Sequence, residues 1–187
     1  MQEELFQKTH IYIDSESAEY KSADKCIFTI DLLESLKDVE YIYILNTDIT
    51  LVKSNSKFMI NEVELDTLSD KMDNIPIFVM LNDYKRITTV VSKDNTMYNA
   101  KYFERIVINK SKVLDSNKDV ITFQNSSQTT FHPNNVNVHV MNPVESKLKK
   151  LNFELRDKND NTIDKKNISH FSMTLCIYQN YRKVSRV

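Results

Sequence analysis

Apolar and polar residues alternate with a period of two along much of this chain. The pattern is cleanest near the C-terminus, where Phe171, Met173, Leu175 and Ile177 interleave with Ser172, Thr174, Cys176 and Tyr178. Successive side chains of an extended strand point to opposite faces, so the alternation predicts one half-buried strand. Upstream, Leu151, Phe153 and Leu155 alternate in the same way with Asn152, Glu154 and Arg156, and the segment DKNDNTIDKKN between the two stretches is all turn-formers and charge. Together they predict a hairpin or a short crossing between sheets.

Further strands are predicted at His10 to Asp14, Cys26 to Leu33, Val39 to Leu45, Ile49 to Lys53, Lys57 to Asn61, Ile77 to Leu81, Arg86 to Val91, Tyr102 to Asn109, Val120 to Gln124 and Val136 to Met141. Breaks of Ser, Asn, Asp and Lys separate them. Only Glu62 to Met72 has helical rhythm, with Val63, Leu68 and Met72 near one face. Many short strands with no recurring helical pattern between them predict an all-β antiparallel sandwich or barrel over an α/β fold. There is no internal repeat and no low-complexity tract. The 187 residues make one domain, with residues 1–8 as an N-terminal arm and 181–187 as a short basic C-terminal tail.

Composition narrows the function. Lys plus Arg (25) nearly balances Asp plus Glu (26), so no strong field draws the whole molecule to nucleic acid or an anionic membrane. The opening MQEELFQK has two acids and no apolar core, and no stretch approaches the 18 or so apolar residues of a membrane span. Cys26 and Cys176 both fall in strand patterns, which predicts free core thiols and reducing surroundings. Gly is absent, where about 13 would be expected from average usage. A Walker loop, a dinucleotide-binding turn and a nucleophile elbow all need glycine and are excluded in standard form. Left-handed turn positions must fall instead to Asn and Asp, and there are nineteen Asn.

Candidate chemistry is sparse. His10, His132, His139 and His170 are too scattered to converge on zinc, and His170 and Cys176 would sit about 20 Å apart along one strand. Asp157, Asn159 and Asn161, like Asp115, Asn117 and Asp119, echo the first positions of a calcium loop. Thr162 and Val120 then stand where that loop needs Gly, and Ile168 and Ser126 where it needs a bidentate Glu, so Asx-rich turns are the expectation. Asp31 and Glu34 sit at a strand end, where charge ordinarily serves solvation. No nucleophile with its base is recognisable, and no enzyme, metal or cofactor is expected. In the tail, Arg182, Lys183 and Arg186 are candidate partner contacts against the ordinary reading of a solvated end. Lys147, Lys149 and Lys150 form a second basic cluster.

Read in order, the strand phrases resemble the single jelly-roll capsid proteins of large icosahedral DNA viruses and virophages, especially penton subunits. The family's closing phrase L-x-x-L-x-F-x-L-x-D-x-x-G, a loop, then H-x-F-x-L-x-L is similar to Leu148, Leu151, Phe153, Leu155, Asp157, the turn Asn159 to Asn161, then His170, Phe171, Met173, Leu175 and Ile177. HIYIDSES resembles the opening strand with its Asp-Ser turn, CIFTIDLLESLKDVEYIYI the next two strands, and Phe58 to Ile60 the aromatic-x-Ile strand. About half the chain is covered, and residues 62–135 match only as a β-rich middle. The Arg usual after the opening turn is absent, and Asn161 replaces the turn Gly.

The resemblance implies a single jelly roll of about eight main antiparallel strands, with extra short strands and at most one short helix. It implies a penton subunit that forms homopentamers at fivefold vertices, touches major capsid protein neighbours, needs no cofactor and assembles in the host cytoplasm into the virion. A minor or cement capsid protein with the same fold is the alternative within that class. A ligand-binding β-sandwich, for example one for carbohydrate, is the alternative outside it and predicts a monomer with exposed aromatics in a groove; the absence of Trp counts against it.

Overall fold

The computed structural model describes residues 6–65, 74–84, 87–91, 97–114, 117–126 and 138–180. The described strands are β1 (Phe6–Asp14), β2 (Glu19–Tyr20), β3 (Ile27–Ser54), β4 (Lys57–Ile60), β5 (Val63–Glu64), β6 (Asn74–Leu81), β7 (Ile87–Val91), β8 (Met97–Tyr102), β9 (Glu104–Asn109), β10 (Val120–Ser126), β11 (His139–Arg156) and β12 (Ile168–Asn180). A five-residue helix, α1 (Lys110–Leu114), joins β9 to β10. All pairing is antiparallel, and β7 with β8 forms a separate two-stranded ribbon.

One hydrogen-bonded sheet runs β1-β12-β3-β11-β6-β9, with β10 and β2 also on β3. It folds into two layers because β3 belongs to both. Its first part, from Ile27 to Ile42, pairs with β11, while Val39 to Leu51 pairs with β12 and Asn46 to Val52 with β10, so the two pairings overlap on opposite edges between Val39 and Ile42. One layer is therefore β3-β11-β6-β9 and the other β1-β12-β3-β10. Following the chain, β1 lies in the second layer, β3 starts in the first and ends in the second, β6 and β9 return to the first, and β10, β11 and β12 alternate. That connectivity is a jelly roll, the eight-strand double Greek key the sequence pointed to.

The corner between layers is turned by two strands together. On β3 the turn is at Asp38, whose φ is 51°, and on β11 the residues between Val140 and Glu145 bulge out against Tyr41 and Val39. A second bulge sits on β3 between Asp31 and Leu36, opposite Leu148 to Lys150, and carries the fully exposed Leu33 outward. Bulges of this kind let a strand change sheets without giving up its ladder.

The core lies between the layers. Phe28 and Phe153 face each other as cross-strand partners with ring centroids 5.2 Å apart, and Phe171 of the opposite layer packs 5.8 Å from the first and 6.4 Å from the second. Ile13, Ile42, Ile77, Leu81, Leu151 and Met173 surround them, each wholly buried. On β1 and at the end of β11 burial alternates with the strand period, whereas on β3, β6 and β12 neighbours of the core residues are buried as well, so those strands are covered on both faces.

Several expectations need correction. The segment Glu62 to Met72 is not helical where described: Glu62 is in a turn, Val63–Glu64 is β5, Leu65 is buried, and the remainder lies outside the described residues. Leu65 bonds through its N–H to the Phe58 carbonyl, so sheet pairing with β4 overrides the weak helical rhythm. The strands expected at Cys26 to Leu33, Val39 to Leu45 and Ile49 to Lys53 are one ladder, because partners on both sides keep the polar breaks paired. The expected 102–109 strand divides at Phe103, and β11 joins the 151–156 strand to one expected near residue 141. β11 and β12 do not pair as a hairpin; they flank β3 on opposite sides and lie in different layers, so the sheet crossing is what forms. Strand β1 begins at Phe6, inside the expected arm.

The absence of glycine is met as expected. Among the described residues the left-handed positions are Asp38, Asn55, Ser56, Asn61, Asn82 and Asp160. Asx side chains tolerate this region and fill five of the six. In the closing phrase the left-handed residue is Asp160 (φ 65°), one position before the Asn161 expected there.

Candidate functional site

The phrases that suggested a family meet in space at one end of the sandwich. Asp14, at the end of β1, accepts through Oδ1 from the Glu16 N–H at 2.8 Å and lies 3.1 Å from His170 Nε2, a residue 156 positions away at the start of β12. Beside them the Phe171 N–H donates to Ser15 Oγ at 2.9 Å. The Asp-Ser turn and the His-Phe strand start are thus two halves of one latch. Ser15 and His170 are each held by an anchoring partner, an arrangement that positions strands.

A second latch joins three loops. Asn61 donates from its backbone N–H to Asn167 Oδ1 at 3.0 Å and from Nδ2 to Asp157 Oδ2 at 2.8 Å, and its Oδ1 accepts from the Asp164 N–H at 2.8 Å. Asp157 is buried, and its Oδ1 accepts the N–H groups of Asn159 and Asn161 at 2.8 and 2.9 Å. The carboxylate that would open a calcium loop is instead saturated by the turn it organises. Asp164 also pairs with Lys25 at 2.5 Å. In the other calcium-like stretch Asp119 lies 3.7 Å from Lys53, Asn117 is exposed, and Asp115 is outside the described residues.

Nearby, Tyr102 is buried against Phe78, with centroids 4.2 Å apart, and its hydroxyl donates to Asp160 Oδ1 at 2.8 Å. Arg156 reaches the same oxygen at 2.7 Å. Burial opposes ionisation of Asp160, but the hydrogen bonds from Arg156 and Tyr102 outweigh it and hold the carboxyl below its usual value.

The remaining candidates stay apart. His10 lies exposed on β1, His139 lies on β11, and His132 is outside the described residues. Among the described residues no group of three or more His, Cys, Asp or Glu is placed to hold a metal ion. Asp31 pairs with Lys150 at 3.5 Å, both largely exposed, while Lys147 and Lys149 are exposed. Arg182, Lys183 and Arg186 lie outside the described residues. No described helix is long and apolar enough to cross a membrane.

Cys26 and Cys176 are free, buried thiols. Burial pushes the Cys26 thiol up to about 12. Burial also raises Cys176, against an opposing hydrogen bond with its cross-strand neighbour Tyr43. Neither thiol of the folded chain is expected to react with DTNB at pH 8, and both react once the chain is denatured. The unfolded Cys26 ionises near pH 9 and the folded one does not. Stability therefore falls as pH rises from about 9 toward 12, by up to about 1.4 kcal/mol per pH unit for this one group. Denaturant melts across that window measure the slope.

Two features were not legible in the sequence. At the far end of the sandwich a groove of about 480 Å³ opens between Asp83 and Tyr84, after β6, and the bend of β11 from His139 to Ser146. Tyr84 stacks on His139 with centroids 5.1 Å apart. Burial raises the Tyr84 hydroxyl, the charges of Glu145 and Asp83 add to this, and a hydrogen bond with Asn82 opposes it. The second feature is the pair of lateral sides. Among the described strands β1 pairs with β12 alone, with Tyr12 65% exposed, while on the opposite side β9 and β10 each pair with one described strand only, and Val120 is 44% exposed. No family model matches this chain, and no curated protein matches it.

Proposed function

We propose that the chain is a structural capsid protein, a penton subunit that closes into homopentamers at the fivefold vertices of an icosahedral DNA-virus shell and there meets major capsid protein neighbours. The observation that carries this reading is the jelly roll with two unlike lateral sides, β1 on one and β9 with β10 on the other. Open strand edges are a liability in an isolated protein and are ordinarily covered. Two unlike edges on opposite sides suit a heterologous contact, in which one side of each copy meets the other side of the next until the ring closes.

Three further observations support it. Two family-like phrases, distant in sequence, interlock at Asp14 with His170, and Asn61, just after the Phe58 to Ile60 phrase, bonds Asp157 of the closing phrase. The polar residues that looked chemical serve as latches. Apolar side chains stand out at bulges and edges, Leu33 above all, where they stabilise nothing within the chain and are available to a neighbour.

Native mass spectrometry at micromolar concentration tests the reading. The expected species has five times the 22.0 kDa subunit mass. A chain that stays monomeric alone and also fails to join particles with a major capsid protein would overturn it.

A further inference from the structure

We infer that neighbouring copies in the pentamer proposed above are joined by main-chain pairing, with β1 of one copy adding antiparallel to β10 of the next. The layer β1-β12-β3-β10 then runs unbroken round the ring. The inference rests on the pentameric reading and adds the bond that joins its two unlike sides.

Strand direction makes the match. Each neighbouring pair in this layer is antiparallel and the layer has four strands, so its two end strands, β1 and β10, run in opposite directions. Rotation about an axis lying along the strands preserves those directions. It brings β10 of one copy antiparallel to β1 of the next, the more stable of the two ways strands pair. Five copies of this layer make a belt of about twenty strands, within the range of about 8 to 26 found in closed barrels, and each strand turns only about 18° from the last.

Neither end strand carries the devices that ordinarily keep an edge from pairing, such as proline, a bulge or a run of charge. Strand β1 holds nine residues in even register with β12, and Lys8 and Asp14 are its only Lys, Arg, Asp or Glu. Strand β10 pairs seven residues with β3 just as evenly, and VITFQNS has no charge at all. Among the described strands each of the two has one partner.

The core is also left incomplete at both ends of the layer. Ile11 on β1 and Ile121 on β10 pack against it but are only partly buried, whereas Ile13 and Phe123 beside them are buried. On the other face of the same strands stand the exposed Tyr12 and Val120. A register that keeps the inward faces together covers both isoleucines and puts Tyr12 on the same face as Val120 of the neighbour.

Strand β10 also has main-chain groups to offer. The Lys53 N–H donates to the Asp119 carbonyl at 2.9 Å, and the β3–β10 register places these two residues opposite one another. That bond sets the phase of the ladder. Ile121, Phe123 and Asn125 direct their main-chain groups at β3, and Val120, Thr122 and Gln124 direct theirs away from it.

Native mass spectrometry with residue-resolved amide exchange tests the pairing. In the pentamer the amides of Val120, Thr122 and Gln124 should exchange at least about 100-fold more slowly than in subunits held monomeric by Tyr12→Arg, which leaves β10 untouched. A pentamer whose outward β10 amides exchange at the monomer's rate overturns the inference and leaves the pentameric reading standing. Slow exchange in the monomer as well also overturns it, because the edge is then covered within one chain. If no pentamer forms, alone or with a major capsid protein, both fail. Gln124→Pro removes one outward N–H, at an edge position where proline is tolerated, and leaves the β3 ladder intact. It should assemble at least about tenfold more weakly than Gln124→Ala, and equal assembly of the two overturns the inference. Should the proline variant fail to fold, amide exchange in the native chain decides.

Discussion

Replacing Asp157 with alanine is expected to lower the stability of the folded chain by about 3 to 5 kcal/mol, among the largest effects of any single polar substitution. Two backbone N–H groups, of Asn159 and Asn161, and the Asn61 amide all donate to this buried carboxylate. Hydrogen bonds to a charged acceptor contribute about 1.5 to 3 kcal/mol each, and although the exposed Asn159 and Asn161 can turn to water, the turn and the Asn61 amide lose the one acceptor that holds them together. For a chain of this size the loss corresponds to roughly 10 °C in Tm. Asp157→Asn keeps an acceptor oxygen and should cost about half as much. Thermal melts of the two variants check the ranking. The same melts in the presence of calcium or EDTA separate the two readings of the loop. Because the carboxylate oxygens are already engaged, calcium should shift the native Tm by less than 1 °C, whereas an ion held there would raise it by several degrees through binding to the folded state alone.

The sequence could be read where burial repeats with the strand period. β12 was legible because Phe171, Met173, Leu175 and Ile177 are all buried in the core at spacings of two, through a register shift against β3 after Thr174, and β4 because Phe58 and Ile60 are buried two apart. It could not be read where tertiary pairing decides. Nothing local says that the polar stretch around Asp38 stays in the ladder, since what holds it there is β11 on one side and β12 on the other. The apparent helix after Glu62 failed for the same reason.

The latches were half legible. Asp157 and His170 stood out as candidate polar residues, and Asp14 lay in the Asp-Ser turn phrase, but Asn61 was only the end of an expected strand, and the partners of all four lie about 100 positions away or more in the chain. The Asx turn around Asp157 was foreseen because its spacing is local, and the two loops tied to it through Asn61 were not. The groove left no signal, since Tyr84 and His139 lie 55 positions apart in sequence and meet only through the folded chain.

If the chain closes into the proposed ring, charge placed on each lateral side of the sandwich separately should prevent closure while leaving the subunit folded. Tyr12→Arg alters the β1 side and Val120→Arg the β10 side, and both residues are exposed, so each variant should melt within about 0.5 kcal/mol of the native chain. A buried interface aromatic is worth about 2 to 4 kcal/mol per contact. A five-membered ring repeats each contact five times, so about 10 kcal/mol or more is lost per ring and assembly fails at micromolar concentration. Mixing the two variants then reveals the symmetry. Each keeps one intact side, so a heterologous ring predicts a heterodimer of one Tyr12→Arg and one Val120→Arg subunit, joined by the only pairing of undamaged sides and unable to extend. An isologous contact would give a different result, because it uses the same patch on both partners. One variant would then stay fully assembled alone, and mixing would create no new species. Native mass spectrometry of the separate and mixed variants distinguishes these cases, and a mixture without the heterodimer would remove the geometric basis for the ring.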